Sequence, residues 1–197
     1  DKLLQEDTNF HKAVYAMLAD KKGNLWIGTW TDGVYRVKYN YVNGAFAVSS
    51  SQHFLPGIDI RCLYEDRRGN IWAGTRYDGL FRLNAAKTYS STNFNQKSGL
   101  SSNWIKTVTE SEDDNIWIGS YQGLDKLILK DNSFRIFNFS QIHNFFANIN
   151  SIVAGNNQLV WLGTSGGLTV IRDGELEKTP PGLVYITSVS VADTVYK

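Results

Sequence analysis

Four short turns carry the residues of this chain that are best suited to hold a ligand. Each turn follows a Trp-x-Gly-Thr or Trp-x-Gly-Ser phrase, and the turns read WTDG (30–33), RYDG (76–79), YQG (121–123) and SGG (165–167). Their flat or planar side chains could stack on a sugar ring: Trp30, Arg76, Tyr77 and Tyr121. Their polar side chains could bind hydroxyl groups: Asp32, Asp78 and Gln122. This mixture predicts a site for a saccharide or another polar ring.

A second group of candidate residues begins the strands that precede these phrases. Eleven residues before the Trp of each phrase stand Tyr15, Arg61, Lys106 and Asn150. We expect these side chains to line the upper mouth of a central channel, and we count Arg61 and Lys106 among the binding residues. For any single aromatic residue of either group, packing against the next turn is the alternative to ligand binding.

A sequence repeat positions both groups. Its anchors are Trp26, Trp72, Trp117 and Trp161, at intervals of 46, 45 and 44 residues. A period near 45 fits either four-stranded propeller blades or paired helices. Short segments such as LWIGT and LFRL are rich in β-branched and aromatic residues and are bounded by turn residues, which favours strands, and no segment keeps a helical period. We therefore predict an all-β chain of four four-stranded antiparallel β-propeller blades, which together form a partial propeller.

The repeat also divides the chain. The blades are predicted at about residues 11–50, 57–97, 103–139 and 148–178, so that residues 1–178 form the partial propeller. A pair of prolines then breaks the pattern. The segment VYITSVSV that follows alternates with a period of two and is closer to the edge of a β-sandwich than to a fifth blade. Residues 179–197 are therefore predicted to be a linker and the first strand of a sandwich.

Several conserved positions of the repeat have structural roles. The Trp of the second strand should lie between adjacent blades, and the glycine two residues later should leave room for a neighbouring backbone. Cys62 occupies a slot that Ala, Ser and Thr fill in the other copies, which indicates a buried, unreactive thiol. The segments DKKGN (20–24) and DRRGN (66–70) are expected to be turns, because a calcium loop would need alternating oxygen ligands and a closing Glu.

Several classes of function find no support in the residues. The formal net charge is +1, which gives no electrostatic reason to bind nucleic acid or an anionic membrane surface. No run of eighteen apolar residues could span a bilayer. No nucleophile elbow, phosphate loop or metal-binding motif is present, and His11, His53 and His143 lack the close spacing typical of a metal site. We therefore predict no catalytic residue, no metal and no cofactor.

Three isolated carboxylates leave one enzymatic alternative open. Asp59, Glu65 and Glu110 lie on or beside the predicted inner strands. A glycosidase needs two carboxyl groups at a fixed separation, and two different blades could supply such a pair. A polysaccharide-degrading propeller enzyme is therefore an alternative interpretation of the chain.

The repeat resembles a known family. Its GNLWIGTWTDGVYRV form is similar to the two-component regulator propeller repeat, and the resemblance covers most of residues 14–197. That repeat builds the extracytoplasmic sensor region of hybrid two-component histidine kinases, best known in Bacteroidetes. The resemblance implies a periplasmic, non-catalytic sensor of glycan fragments that signals across the inner membrane. It also implies that residues 180–197 open an immunoglobulin-like domain.

The resemblance also bears on the partners. Sensors of this family carry more than four blades, and an open stack of blades leaves exposed strand edges. The expected partners are therefore an oligosaccharide or other polar ligand, and either the remaining blades of the same propeller or a second copy of the chain. Nucleic acid and direct membrane contact by this segment are not expected. The main alternative function is a non-catalytic scaffold whose upper loops hold another protein.

Overall fold

The computed structural model describes residues 12–42, 45–130, 133–140, 146–173, 189–191 and 194–196. Within them the chain forms four antiparallel sheets, three of four strands and one of three, and a two-stranded hairpin. In each sheet the strands lie side by side in chain order. This arrangement confirms the prediction of an all-β chain built from propeller blades.

The strands fall into five groups. The first blade contains β1 (Val14–Ala19), β2 (Leu25–Thr29), β3 (Val34–Val42) and β4 (Ala45–Phe54). The second contains β5 (Ile60–Glu65), β6 (Ile71–Thr75), β7 (Leu80–Asn84) and β8 (Ser90–Phe94). The third contains β9 (Ile105–Glu110), β10 (Ile116–Ser120), β11 (Gly123–Lys130) and β12 (Ser133–Asn138). The fourth contains β13 (Ile149–Ala154), β14 (Leu159–Thr164) and β15 (Gly167–Arg172), and the hairpin consists of β16 (Val189–Val191) and β17 (Thr194–Tyr196).

Helical structure is minor. Two short 3₁₀ helices, Ala85–Lys87 and Gln96–Ser98, flank β8. No helix in the described part of the chain has the length and apolar character needed to cross a bilayer. Residues 174–188 lie outside the described part, so the blade limits, the linker and the sandwich strand stay predictions.

The inner strands of neighbouring blades lie next to one another: β1 contacts β5, β5 contacts β9, and β9 contacts β13. The phrase tryptophan lies on the second strand and is covered by the inner strand of the following blade. Trp72, for example, is fully buried in one apolar cluster with Ile105 and Val108 of the third blade. Burial of one large aromatic ring at each junction makes each blade depend on the next one.

The first glycine of the phrase is required by this packing. A Cβ atom at Gly28 would lie 2.5 Å from Cγ2 of Ile60, and one at Gly74 would lie 2.8 Å from Cγ2 of Ile105. The expectation that this glycine makes room for a neighbouring backbone was therefore wrong. It receives the isoleucine side chain that begins the next inner strand.

A buried carboxylate fixes the indole in the first two blades. Asp66, in the turn between β5 and β6, accepts hydrogen bonds from Trp72 Nε1 at 2.9 Å and from Asn70 Nδ2 at 2.8 Å. It also accepts from the backbone N–H groups of Arg68 and Asn70. Asp20 holds Trp26 Nε1 at 2.8 Å in the same way. Burial alone would raise the pKa of Asp20, but the hydrogen bonds from Trp26, Asn24 and Lys22 hold it below its ordinary value.

The carboxylate that binds the indole in the first two blades is not present in the later ones. Ser111 stands in the third blade where Asp20 and Asp66 stand in the first two, and Gly155 stands there in the fourth. Neither Ser111 Oγ nor Trp117 Nε1 has a hydrogen-bond partner among the described residues. The third turn therefore keeps the shape of the other two without their carboxylate.

The turns also tie neighbouring blades together. Glu65 Oε2 accepts the backbone N–H of Lys21 at 2.9 Å, and Glu110 Oε2 accepts that of Arg67 at 2.8 Å. In both cases the last residue of an inner strand caps the turn of the preceding blade. This gives two of the three isolated carboxylates a structural role.

A cation from the third strand covers each of the three buried indoles. The cross-strand pairs are Trp26 with Arg36, Trp72 with Arg82 and Trp117 with Lys126. The charged group lies 5.7, 6.0 and 5.6 Å from the respective ring centroid, which is within cation–π range.

The two ends of the blade stack are less covered than its interior. Trp161 of the fourth blade is 36% exposed, whereas Trp72 is fully buried. On the opposite end, Met17 of β1 is exposed, whereas its counterpart Val108 in β9 is buried. The same side-chain types are thus present at the ends and at the junctions, and they differ only in whether another blade covers them.

We predict that Asp66→Ala lowers the free energy of unfolding by about 2 kcal/mol or more, because it leaves three buried donors and one partly buried donor without their acceptor. Ser111→Ala is the matched control and should change it by less than about 0.5 kcal/mol. Urea denaturation at pH 7 measures both. Equal effects of the two substitutions would contradict the anchoring role of the carboxylate.

The blade junctions give a second prediction. Trp72→Ala should destabilise the chain by about 3–5 kcal/mol, since it removes a fully buried ring. Trp161→Ala should cost less than about 2 kcal/mol, because that ring already contacts water. The measurement is the urea midpoint of each variant, and a larger loss for the Trp161 variant would overturn the assignment of the junctions.

Candidate ligand-binding site

A β-bulge interrupts the top of every inner strand. In the first blade Val14 pairs with Thr29 and Ala16 with Gly28, so that Tyr15 is the extra residue. The same shift leaves one extra residue in each of the other blades, namely Arg61, Lys106 and Asn150. Bulges redirect side chains and are common beside functional sites. The four residues predicted to line the channel mouth therefore share one unusual backbone position.

A repeated backbone hydrogen bond places the variable turns beside these bulges. The first residue of each turn donates its N–H to the carbonyl oxygen of the residue directly before the inner strand. The four bonds are Trp30 to Ala13 at 2.9 Å, Arg76 to Asp59 at 3.1 Å, Tyr121 to Trp104 at 3.1 Å and Ser165 to Asn148 at 3.1 Å. The turns and bulges thus form one edge of the blade stack, which we call the upper rim.

The second glycine of the repeat holds the rim in place. Gly33 has φ +71° and Gly79 has φ +81°, and a Cβ atom there would lie 2.1 Å from Leu55 O and 2.2 Å from Phe94 O. Only glycine fits both the conformation and the space. Thr31, in the first turn, has φ 79° although it is β-branched. Strain of this kind is concentrated at functional sites.

The first rim cluster consists of Tyr15, Trp30, Asp59 and Arg61. The rings of Tyr15 and Trp30 meet edge to face with centroids 5.5 Å apart. The Arg61 guanidinium lies 4.5 Å from the Tyr15 centroid and 5.7 Å from that of Trp30, and it forms an ion pair with Asp59 at 3.1 Å. Trp30 remains 44% exposed. The cluster therefore has an indole ring in contact with solvent, next to an arginine that is already paired with a carboxylate.

The second rim cluster consists of Arg76, Tyr77, Trp104 and Tyr121. The Arg76 guanidinium lies 5.2 Å from the Tyr77 centroid and 5.1 Å from that of Trp104. Trp104 in turn stacks on Tyr121, with centroids 4.8 Å apart and an interplanar angle of 12°. Tyr77 and Tyr121 are both exposed. The cluster is a row of flat groups that extends from the second blade to the third.

The third bulge residue, Lys106, makes polar contacts with the fourth blade. Its Nζ donates to Asn148 Oδ1 at 2.9 Å and to Asn150 Oδ1. Next to it, a pocket of about 350 Å³ opens between the third and fourth blades and is lined in part by Ser101, Tyr121 and Gln122. Gln122 thus lines a cavity beside Tyr121, the last ring of the aromatic row.

The two predicted aspartates have different surroundings. Asp32 contacts Lys12 at 3.0 Å and accepts a hydrogen bond from the Tyr35 hydroxyl at 2.6 Å. The bond from Tyr35 and the Lys12 ammonium hold the pKa of Asp32 below its ordinary value. Asp78 is exposed, and its carboxylate forms no hydrogen bond or ion pair with any residue in the described ranges. Of the two, Asp78 is therefore the one whose oxygens are available to a ligand.

Histidine and cysteine do not add to the rim chemistry. His53 stacks on Tyr35 at 4.3 Å, and its Nε2 lies 2.7 Å from the carbonyl oxygen of Asp32, while His11 and His143 lie outside the described residues. The residues that the structure describes contain no group of three or more His, Cys, Asp or Glu able to hold a metal ion. Cys62 packs against the cluster between the second and third blades, and burial raises the pKa of its thiol to about 12.

Two features of the rim were not predicted from the sequence. Trp104 directly precedes β9, where the other blades have Ala13, Asp59 and Asn148, so the repeat gave no reason to expect a ring there. Asp125 is fully buried on β11. It accepts hydrogen bonds from Ser101 Oγ at 2.7 Å and from Ser101 N at 3.0 Å, beneath the pocket that Ser101 lines.

The buried carboxyl group of Asp125 gives a prediction about pH. Burial raises its pKa to about 7, against the opposing effect of the Ser101 hydrogen bonds. The folded state therefore keeps a proton that the unfolded chain releases near pH 4. The stability that this proton provides is complete at low pH and is lost as the pH rises from about 4 through about 7.

We therefore expect Asp125→Asn, which is neutral at every pH, to gain Tm relative to the parent chain between pH 5 and pH 8. Thermal melts at several pH values measure the difference. A constant difference between the Asp125 variant and the parent would show that this carboxyl group does not titrate as described.

Comparison with known proteins supports the repeat assignment. The sequence profile described as "two component regulator propeller" matches residues 10–31, 55–77 and 99–122. These segments hold the lead-in, the inner strand, the Trp-x-Gly phrase and the start of the variable turn. The search of curated proteins found no match to this sequence.

Solved structures show the same blade arrangement. The extracellular domain of a putative hybrid two-component system from B. thetaiotaomicron matches with a TM-score of 0.62 and 25% identity over 81% of this chain. A second extracellular domain of this kind from the same organism matches with a TM-score of 0.61 and 23% identity over 85% of the chain. This chain covers only 21% and 22% of those two proteins.

The fold is not confined to sensors. Virginiamycin B lyase from Staphylococcus aureus matches with a TM-score of 0.58 and 18% identity, over 84% of this chain and 57% of the lyase. At that identity the similarity concerns the fold alone.

Proposed function

We propose that this chain, three segments of which match the two-component regulator propeller profile, is part of the ligand-sensing region of a hybrid two-component system and binds a glycan fragment on its upper rim. The observation that carries the proposal is the pair of rim clusters, in which exposed aromatic rings stand beside arginines at the variable turns. The sensing role rests on the family and on the similarity to extracellular domains of hybrid two-component systems.

The chemistry of the rim suits a saccharide. A sugar ring has apolar C–H faces that pack on aromatic rings and hydroxyl groups that need donors and acceptors. Trp30, Tyr77 and Tyr121 supply exposed rings, while Asp78 and Gln122 supply polar ends next to them. Lys106 and Arg61, the bulge residues of the third and second blades, extend the polar lining along the rim.

The same similarity supports a position of this region outside the cytoplasm. The related domains are extracellular parts of two-component systems, and we propose a periplasmic position for this region in a longer, membrane-anchored sensor. A ligand can change such a sensor only if it binds two of its states unequally. We propose that binding at the rim changes the geometry of a dimer, and that the kinase chemistry belongs to other parts of the protein.

The ends of the blade stack need partners. Met17 on one end and Trp161 on the other are apolar and exposed, and open strand edges promote association. We propose that further blades of the same propeller, or a second copy of the chain, cover these faces. The net charge of +1 gives no reason to propose nucleic acid or a membrane surface as the partner.

A thermal-shift screen with a panel of oligosaccharides tests the proposal, since a ligand that binds only the folded state raises Tm. We expect Trp30→Ala and Tyr77→Ala to abolish the shift and to leave the Tm of the unliganded chain nearly unchanged. Tyr41→Ala is the matched control: Tyr41 and Tyr77 are both 62% exposed, but Tyr41 lies at the far end of β3. It should leave the sugar-induced shift intact.

Other results of the same screen separate the alternatives. A large drop in the Tm of the unliganded Trp30 or Tyr77 variant would mean that these rings are packing residues. No shift with any sugar, together with a stable protein complex in pull-down experiments, would favour the scaffold. Release of reducing ends from a polysaccharide would favour an enzyme and contradict the proposal.

A further inference from the structure

We propose that the ligand of the upper rim is acidic and that Arg76 binds its carboxylate or sulfate group. The inference rests on the proposed function and adds the class of glycan. Its basis is a difference in charge between the two rim clusters, which are otherwise alike in having an arginine between aromatic rings.

The arginine of the first cluster is neutralised and that of the second is not. Arg61 forms an ion pair with Asp59 at 3.1 Å, and the Asp59 side chain is 7% exposed. Arg76 has no ion pair and no side-chain hydrogen bond with any residue in the described part of the chain. The Nε atoms of both arginines are buried without an acceptor, so the difference between them is the ion pair. A partly buried cation without a counter-ion is costly, and an anionic ligand would remove that cost.

The surroundings of Arg76 hold it ready for such a ligand. The rings of Tyr77 and Trp104 contact its guanidinium, and its own backbone N–H is bound to the carbonyl of Asp59 at 3.1 Å. A planar guanidinium that is already held in place loses little freedom when it forms a forked pair with a carboxylate or sulfate. The same rings would contact the sugar to which the anion is attached.

Neighbouring charges do not change the conclusion. Asp78 is the nearest acidic residue in sequence, and it is exposed and forms no ion pair with Arg76 among the described contacts. Lys106, the next cation along the rim, contacts only the neutral amides of Asn148 and Asn150. On the rim, the second and third blades therefore present two cations, Arg76 and Lys106, whose charge no described carboxylate neutralises.

Three tetrasaccharides of equal length would test the inference by isothermal titration calorimetry: one of galacturonate, one of sulfated galactose and one of neutral galactose. We expect at least one acidic tetrasaccharide to bind about tenfold or more tightly than the neutral one, since a charge-assisted pair is worth at least one such factor. Preference for galacturonate would identify a carboxylate as the recognised group, and preference for the sulfated sugar a sulfate. The advantage should shrink as the salt concentration rises.

Variants assign the effect to one residue. Arg76→Gln should weaken binding of the preferred acidic tetrasaccharide about tenfold or more, and Arg76→Lys by a smaller factor, because lysine keeps the charge but not the planar fork. Arg82→Gln is the matched control: Arg82 also lies over an indole and has an unpartnered Nε, but it is in the middle of β7. It should leave the affinity unchanged.

The outcomes separate this inference from the proposed function. Equal affinity for acidic and neutral sugars, with no effect of Arg76→Gln on a variant whose Tm is preserved, would overturn the inference and leave glycan binding standing. If Arg76→Gln does not fold, two measurements still test whether the ligand is acidic and is bound by Arg76: the affinities of the three sugars for the parent chain and their affinities for the Arg76→Lys variant. Absence of binding by every sugar would overturn both.

Discussion

The architecture depends on a tryptophan that one blade supplies and the next blade buries. The indole of Trp72 is fixed on its own blade by Asp66 at 2.9 Å and covered by Ile105 of the following one. Because the glycine two residues later leaves space for that isoleucine, ring, carboxylate and glycine work as one unit. The angle and spacing between blades are set there, and with them the position of every loop on the rim.

Because the junction residues set the packing of the blades, the side chains of the rim can vary without changing it. On the side of the blades opposite the rim, hydrogen bonds within or between blades are accepted by the carboxylates of Asp20, Asp66, Glu65 and Glu110. On the upper side three features are constant: the backbone bonds, the second glycine, and the Thr or Ser hydroxyl that donates to the carbonyl oxygen of that glycine. They hold the turn against the bulge whatever the variable side chains are. A repeat built in this way can change its ligand without changing its core. The rim clusters that we propose as a glycan site occupy these variable positions.

The blades could be predicted from the sequence because the Trp-x-Gly pattern that specifies them is local and is repeated four times. Trp26 and its counterparts marked the second strand. The small slot at Cys62 indicated a buried thiol, and the structure places this residue partly buried against the core cluster between the second and third blades. The contacts that decide the rim were not predictable, because they join residues of different blades or loops. Nothing about Trp104 indicates its stacking on Tyr121, and nothing about Asp32 reveals its ties to Lys12 and Tyr35. The pairing of Arg61 with Asp59, which leaves Arg76 as the arginine of the two rim clusters without an ion pair, likewise needed the structure.

The six tryptophans allow one direct test, because each indole N–H gives its own signal in a ¹H–¹⁵N correlation spectrum. Trp30 and Trp104 lie on the rim, whereas Trp26, Trp72 and Trp117 are fully buried at the blade junctions. Titration with a binding oligosaccharide should move the signals of Trp30 and Trp104 and leave those of the three buried indoles in place. Movement of the buried signals with the rim signals unchanged would contradict the account, since the ligand would then act at the junctions and not on the rim.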